Sequence, residues 1–333
     1  MSPKVSVILY SYNHGRWIGQ SVESVLQQTF GDWELIISDN GSTDETVDVV
    51  RRYASLDRRI RLLLHPDNVL TGARWNEAIK MARGEFISQL HSDDYYLPRK
   101  LERQLECFSK LGDDYGVVYS PGYRLNDVTG DQWLASSLQS SGDILEDLFL
   151  KFHAQGGINP VSPLVRRACR FRYLFGEDTM CEGEGVFFRM ALTYKFFFLN
   201  EPLVVMRDHL QNYGKAIKFN KEVFLEVFNR LPGNPEFPKH LHGHWALFMA
   251  RHLRGLAWLG IRVAEDRAWA RECLREAVRF HLPQIFHPRV LAGLGLSLLP
   301  KGFLHRINRA AFALRRPREN VGAIEMSKAG NGS

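Results

Sequence analysis

An α/β fold is predicted for this chain, a mostly parallel sheet flanked by helices and followed by a C-terminal helical region. Three observations carry that expectation. Short apolar β-rich runs alternate with stretches of helical spacing through the first hundred residues. The loops after those runs are polar. After Gln211 the character changes to long helical stretches. Val5–Tyr10 is the first strand, and Ile18–Phe30 a helix with Ile18, Val22, Val25 and Leu26 on one face. Trp33–Ser38 is the second strand, and a helix runs from about Thr43 to Tyr53. Ile60–Leu64, the helix Thr71–Arg83 and the strand Glu85–Leu90 repeat the pattern. Pro98 opens a helix over Arg99–Leu111, where its fixed φ is tolerated. Val117–Ser120, Phe196–Leu199 and Glu201–Arg207 are weaker strands, and Ser136–Gly142 is a polar loop. Phe219–Leu231 and Trp245–His281 are helical, separated by the Pro/Gly-rich Pro232–Pro238. The expected division is a first domain over 1–215, a helical region over 216–321 and a disordered Gly/Ser-rich tail over 322–333.

A chain of 333 residues suits one large domain with an appendage, or two domains. Its 45% hydrophobic and 24% charged residues are those of a globular protein and exclude global disorder. The formal charge of +6 points to an anionic partner, with nucleic acid, nucleotide and anionic membrane all compatible. Cys107, Cys169, Cys181 and Cys273 form no CxxC pair, which argues against a zinc or redox motif and for reduced thiols. No stretch reaches the ~18 apolar residues of a membrane span. The apolar run Val5–Leu9 is too short for a signal peptide, so the chain is expected on the cytosolic side. No GxGxxG follows the first strand, which disfavours a dehydrogenase.

Ligands of parallel sheets bind at the carboxyl ends of the strands. That singles out the loops Ser11–Arg16, Asp39–Asp44, His65–Thr71 and His91–Leu97. The last holds Leu90-His91-Ser92-Asp93-Asp94. Two adjacent carboxylates there need positive compensation, which a hard divalent cation bridging to phosphates supplies. The alternative is a solvated turn with Asp94 as a helix cap. In Ser38-Asp39-Asn40-Gly41-Ser42-Thr43-Asp44, Asn-Gly permits a left-handed turn and the later residues can cap the next helix. Asp39, at the strand end, is placed to accept hydrogen bonds from a nucleobase or ribose. Tyr10-Ser11-Tyr12-Asn13 closes the first strand, with Tyr12 available to stack on a base and Asn13 to orient the loop.

In order and spacing, these segments resemble the family 2 glycosyltransferases. The match runs from Val5–Asn13 through Ser21–Thr29, Trp33–Asp44, Asn68, Trp75-Asn76-Glu77-Ala78 and Ala82–Ile87 to Leu90–Asp94 with Pro98. It is close over residues 4–105 and looser to about 210. The resemblance implies a nucleotide-diphospho-sugar transferase fold of the glycosyltransferase A type, Rossmann-like, and an inverting mechanism. Residues 1–215 would then be the catalytic domain. Asp39 matches the base-contacting aspartate. Asp93 matches the second aspartate of the metal-binding Asp-x-Asp motif, with His91 standing where the first is expected. The implied cofactor is a divalent metal, Mg2+ or Mn2+. Ser11, Tyr12, Asn13, Asn76, His91 and Ser92 join Asp39 and Asp93 as nucleotide-sugar-binding candidates. Trp75 replaces an arginine common in the family, so a phosphate-facing charge would come from elsewhere, with Arg74 a candidate. The general base of an inverting enzyme removes the acceptor hydroxyl proton. The family's Glu-Asp pair aligns with Cys181-Glu182-Gly183-Glu184, where Gly183 replaces the aspartate. Glu182 is the first choice for base, Glu184 the second and Asp178 the third. The alternative is that these acids only favour a helix N-terminus. Met206-Arg207-Asp208-His209 resembles the Arg-x-His segment, giving Arg207 to phosphate and His209 to the metal shell or a diphosphate oxygen.

The C-terminal segment interleaves Leu291, Leu294, Leu296, Leu298, Leu299, Phe303, Leu304, Ile307 and Phe312 with Arg289, Lys301, Arg306, Arg309, Arg315, Arg316 and Arg318. Such a basic amphipathic stretch can lie on an anionic membrane, or pack on the catalytic domain with a solvated basic face. Membrane contact would suit a lipid-linked acceptor or growing glycan. The basic residues cluster with aliphatics rather than stacking aromatics, so nucleic acid is not the expected partner. The expected activity is transfer of a sugar from a nucleotide-diphosphate sugar to a hydroxyl. The rival is a non-catalytic nucleotide-sugar-binding protein derived from such a transferase.

Overall fold

Four strands, β1 (Val5–Ser11), β2 (Trp33–Asp39), β3 (Ile60–Leu64) and β4 (Phe86–His91), are joined by α1 (Gly15–Leu26), α2 (Thr46–Leu56) and α3 (Thr71–Lys80). After them come β5 (Tyr95–Tyr96), α4 (Lys100–Phe108), β6 (Tyr115–Tyr119), β7 (Gly122–Asn126), β8 (Gln132–Leu134), α5 (Leu145–Gln155) and β9 (Leu164–Arg166). The series closes with α6 (Arg167–Arg172), α7 (Gly185–Met190), β10 (Lys195–Phe198) and β11 (Val204–Asp208). The computed structural model describes residues 2–178, 183–212, 221–264, 266–300, 302, 303, 305, 306 and 308.

Seven strands form the main sheet in the order β10-β6-β9-β4-β1-β2-β3. β9 runs antiparallel to β4 and β6, while β1 pairs in parallel with both β2 and β4. The chain leaves β1 toward β2 and β3, then returns to β1's other side as β4. This reversal is the point where a doubly wound sheet opens a crevice for ligands. The central strands β1, β2 and β4 are buried on both faces and alternate between two apolar clusters. Val5, Val7, Leu9, Leu35 and Ile37 pack with Ile18, Val22 and Val25 of α1 and Val50 of α2. Ile8, Ile36 and Ile87 pack on the opposite face with Trp75, Ala78 and Ile79 of α3.

Several boundaries differ from the expectation for local physical reasons. The second helix starts at Thr46 rather than Thr43, because the Asp44 side chain accepts the Thr46 N–H at 3.0 Å and holds the turn open. The short strands β5, β7, β8 and β9 were not anticipated. With two, five, three and three residues they carry too little periodicity. β5, β11, β7 and β8 form a second, four-stranded sheet in that order. The helical stretch expected over Trp245–His281 is two helices, His242–Leu259 and Arg267–Phe280. Asp266 starts the second by accepting the Trp269 N–H at 3.0 Å.

The chain divides into two compact units, Met1–His252 and Leu253–Ser333. This division falls after His252, whereas the sequence pattern suggested a boundary near 215. The helix Lys221–Phe228 and the start of His242–Leu259 belong to the first unit, where Phe228 and Phe248 pack edge-on or tilted against Phe188 at 5.0 and 5.3 Å, and Phe248 edge-on against Phe149 at 5.6 Å. The second unit has its own small core of Leu256, Ala257, Ile261, Ala270, Cys273, Leu274 and Val290. The tail 322–333 lies outside the described residues. Among the described residues, no helix is long and apolar enough to cross a membrane.

Candidate functional site

The loops after β1 and β2 are laced together. Asn13 takes a positive φ of 51°, which turns its side chain toward the neighbouring loop. Its Oδ1 accepts the Thr43 N–H at 2.8 Å, and its own N–H donates to Ser42 Oγ at 2.8 Å. His14 N–H donates to Thr46 Oγ1 and Gly15 N–H to Asp44 Oδ2, both at 3.0 Å. Asp39 braces the same junction from beneath. Its Oδ2 accepts from Ser11 Oγ and Ser42 Oγ at 2.8 and 2.6 Å, and its Oδ1 from the Ser42 N–H at 2.9 Å.

The carboxyl end of β4 is gathered around Asp93. Its Oδ2 lies 3.0 Å from His209 Nε2 and accepts from Asn212 Nδ2 at 3.0 Å. His14 Nδ1 stands 4.0 Å from Asp93 Oδ1 and 2.7 Å from Ser92 Oγ. The His209 ring stacks on Trp17 at 4.1 Å. Asp94 turns inward. Its Oδ1 accepts the Arg207 N–H at 2.9 Å, and His91 Nδ1 lies 3.4 Å from its Oδ2.

These contacts set the charges. Burial opposes ionisation of Asp93, but the His209 hydrogen bond and the potential of His91 and His14 outweigh it and lower its carboxyl to about 2. Burial, and then the Asp93 charge, push Asp94 upward. Burial also lowers His14, which keeps its imidazole neutral with a lone pair to offer. One ligand atom each from His14, Asp93 and His209 lie within 4.8 Å of one another, and so do those of His91, Asp93 and Asp94. An ionised carboxylate with imidazole nitrogens suits Mn2+ and its borderline neighbours, and the carboxylate pair suits a harder ion. The donor set thus fits a divalent cation, with Asp93 common to both groups.

The sequence-derived candidates separate into two sets. Ser92, Asp93, His91 and His209 come together, and Tyr12, in the loop after β1, stays 37% exposed. The others are engaged by contacts within the chain. Asn76 is buried with its amide committed to Phe175 and Glu177, so no polar atom remains for a sugar nucleotide. Arg74 is engaged by Asn40, Asp67 and Glu77 rather than facing an open site. Arg207 is tied to the Asp93 carbonyl, to Asp127 at 2.9 Å and to Gln20, and so buttresses the loop instead of presenting a free charge. Ser11, Asn13 and Asp39 build the loops, and Asp39 is fully enclosed. Glu182 lies outside the described residues.

Glu184 precedes α7. Its Oε2 is sealed from solvent with no hydrogen-bond partner among the described residues. A Cβ on Gly157 would fall 1.8 Å from that oxygen, so the glycine makes room for the carboxylate. Burial raises the Glu184 carboxyl to about 7, against a smaller opposing pull from Arg124. Gly183 has a φ of 53°, in the left-handed region that glycine enters without the Cβ penalty. Asp178 is paired with Arg230 on the surface. Sequence reasoning missed His14, Trp17, Asn212 and Asp127. His14 did lie within a loop already singled out, and Asn212 follows His209 by one turn.

Residues 6–172 match the family described as Glycosyl transferase family 2. EpsE of Bacillus subtilis (strain 168) is 38% identical over 109 residues, which is 32% of this chain and 39% of that protein. The match thus spans about two fifths of that relative's length. S. aureus TarS 1-349 in complex with UDP-GlcNAc aligns with a TM-score of 0.65 at 18% identity, over 95% of this chain and 93% of that one. The mannosyltransferase PcManGT from Pyrobaculum calidifontis, in complex with GDP-Man and Mn2+, aligns with a TM-score of 0.57 at 16% identity, over 94% and 86%. At these identities the two structures show a common fold.

Proposed function

The chain belongs to glycosyl transferase family 2, and from that premise we propose that it moves a sugar, with inversion, from a nucleotide-diphosphate sugar to a hydroxyl of a lipid-linked or growing glycan. The observation that carries the reading is the convergence of Asp93, His209 and His14 at the switch point between β1 and β4. Asp93 with His14 and His209, or with His91 and Asp94, would hold a divalent cation. Bound there, the cation supplies charge neutralisation for the leaving diphosphate. Tyr12 is placed to stack on the base. Glu184 accepts the acceptor's hydroxyl proton as that oxygen bonds to the anomeric carbon and the bond to the diphosphate breaks. Glu184 takes precedence over Glu182 because its carboxyl is poised near neutrality and unpartnered. The solved relatives with UDP-GlcNAc and with GDP-Man and Mn2+ support a nucleotide-sugar donor and a metal, without choosing the base.

The test is Asp93→Asn. Manganese-dependent binding of UDP- and GDP-sugars, followed by calorimetry, should vanish together with release of nucleoside diphosphate, while thermal unfolding stays cooperative. Undiminished turnover in that variant, or in wild type with excess chelator, would sink the metal site. Donor binding without turnover in wild type, across a panel of acceptors, would favour the non-catalytic alternative.

The second unit supports a further reading, contact with an anionic membrane. Leu282, Phe286, Leu291 and Leu298 are 69%, 81%, 55% and 75% exposed, with Arg279 and Arg289 close in sequence. Lys301, Leu304 and Ile307 of the basic segment lie outside the described residues.

A further inference from the structure

β8 is the outer strand of the second sheet, and all three of its residues are exposed. Trp133 is 42% exposed there, an unusual position for the largest apolar side chain. In the antiparallel β7–β8 pair, Trp133 stands opposite Arg124, so the two side chains share a face. Arg124 is exposed and makes no ion pair among the described residues. Its charge acts on Glu184, whose buried Oε2 lacks a partner. Glu184 also reaches this sheet by packing, since its carboxylate lies against Gly157, whose carbonyl accepts the Leu138 N–H at 3.0 Å just past the end of β8, so an indole, a guanidinium without an ion pair among the described residues and a carboxylate lie in the same region.

The same strand leads to the donor side. Three residues beyond Arg124, Asp127 accepts from Trp17 Nε1 at 3.3 Å and from Arg207 Nη1 at 2.9 Å, and Arg207 in turn holds the Asp93 carbonyl at 3.0 Å. Three residues of extended chain cover about 10 Å.

Resting on the glycosyl-transfer reading, we propose that Trp133, Arg124 and Glu184 line the acceptor subsite, and that the acceptor is a glycan bearing a negative charge beside the sugar that is extended. The indole takes the flat C–H face of the ring, which is apolar while its hydroxyls point outward. The guanidinium takes a carboxylate or phosphate, where a planar fork adds geometric selection to charge. The hydroxyl to be glycosylated is then left toward Glu184.

The experiment uses the full chain with UDP and Mn2+ present, and calorimetric titration with three probes. A hyaluronan tetrasaccharide offers carboxylates, its methyl ester is the neutral control, and a glycerol phosphate tetramer offers phosphodiesters. Wild type should bind one charged probe, and which one identifies the anion. Trp133→Ala should weaken that binding about tenfold or more, a loss of at least about 1.4 kcal/mol. Arg124→Gln should bring the charged probe down to the level of a neutral one. UDP affinity should stay unchanged in both variants. The subsite is overturned if neither charged probe binds wild type, or if either variant binds it as wild type does. Failure of wild type to bind any nucleoside diphosphate would instead overturn the transfer reading beneath it.

Discussion

Glu184 shows how one residue's surroundings set its chemistry. Its carboxyl titrates near 4.5 in an unfolded chain and about 7 in the fold, with burial as the cause. As a base it works only when ionised, so the wild-type rate should rise with pH through about 7. Glu184→Gln should cut turnover by about 10²-fold or more and flatten that rise, with UDP binding kept. The stability sign runs the other way. A raised acid favours the folded state while protonated, and that contribution is lost as pH climbs from about 4.5 to about 7. The thermal midpoint of Glu184→Gln should therefore gain on wild type between mildly acidic and mildly alkaline buffer. A constant difference would mean the carboxyl is not raised. Gly157→Ala provides a second handle, because its methyl would enter the space of the Glu184 oxygen. It should lower turnover without touching the acid itself. If it leaves turnover intact while Glu184→Gln abolishes it, the close packing is not what positions the base.

At the scale of elements, the site depends on two strand-end loops bonded to each other. Asn13 holds a left-handed φ of 51° and also supplies the acceptor for Thr43 N–H. Glycine keeps that conformation but loses the hydrogen bond, while alanine loses both. Asn13→Ala should thus cost more than Asn13→Gly, with the hydrogen bond worth about 0.5–1.5 kcal/mol and the strain about 1 kcal/mol more. Denaturant unfolding checks the order. Donor affinity should fall in the same order if loop geometry governs it. Asp39 belongs to this brace rather than to an open surface, since its oxygens are used by Ser11 and Ser42. β11 matters in a similar way. It delivers Arg207 to the Asp93 carbonyl, and His209, just past its end, to the Asp93 carboxylate.

For the whole molecule, the division at His252 changes how the C-terminal segment must be tested. Removing everything from Phe286 onward would strip Val290, fully buried in the second unit's core, and would confuse unfolding with loss of binding. Leu282→Ser with Phe286→Ser changes only exposed positions. That pair should reduce co-sedimentation with anionic vesicles several-fold while leaving the thermal midpoint in place. Salt should weaken the intact protein's binding in part, because charge attraction is screened beyond about 8 Å at physiological ionic strength whereas apolar burial is not. Equal sedimentation of variant and wild type, or equal binding to neutral vesicles, would remove the membrane role.

The sequence by itself determined the alternating strands and helices of the first hundred residues, the loops that bear ligand chemistry, and Asp93 at the centre. Those features are local: apolar periodicity is dictated by strand and helix geometry, and polar residues at strand ends stand out against it. Tertiary structure decided the rest. Which carboxylate is ionised, which histidines meet Asp93 and which arginine is left without an ion pair depend on residues far apart in the chain, such as His14, Asp93 and His209. The same types of residue served as braces in Asn76, Arg74 and Arg207, since a polar side chain buried by packing must spend its hydrogen bonds on whatever lies beside it. Trp133 and Arg124 gained their meaning only when β7 and β8 paired, because strands of five and three residues carry too little pattern to announce their register.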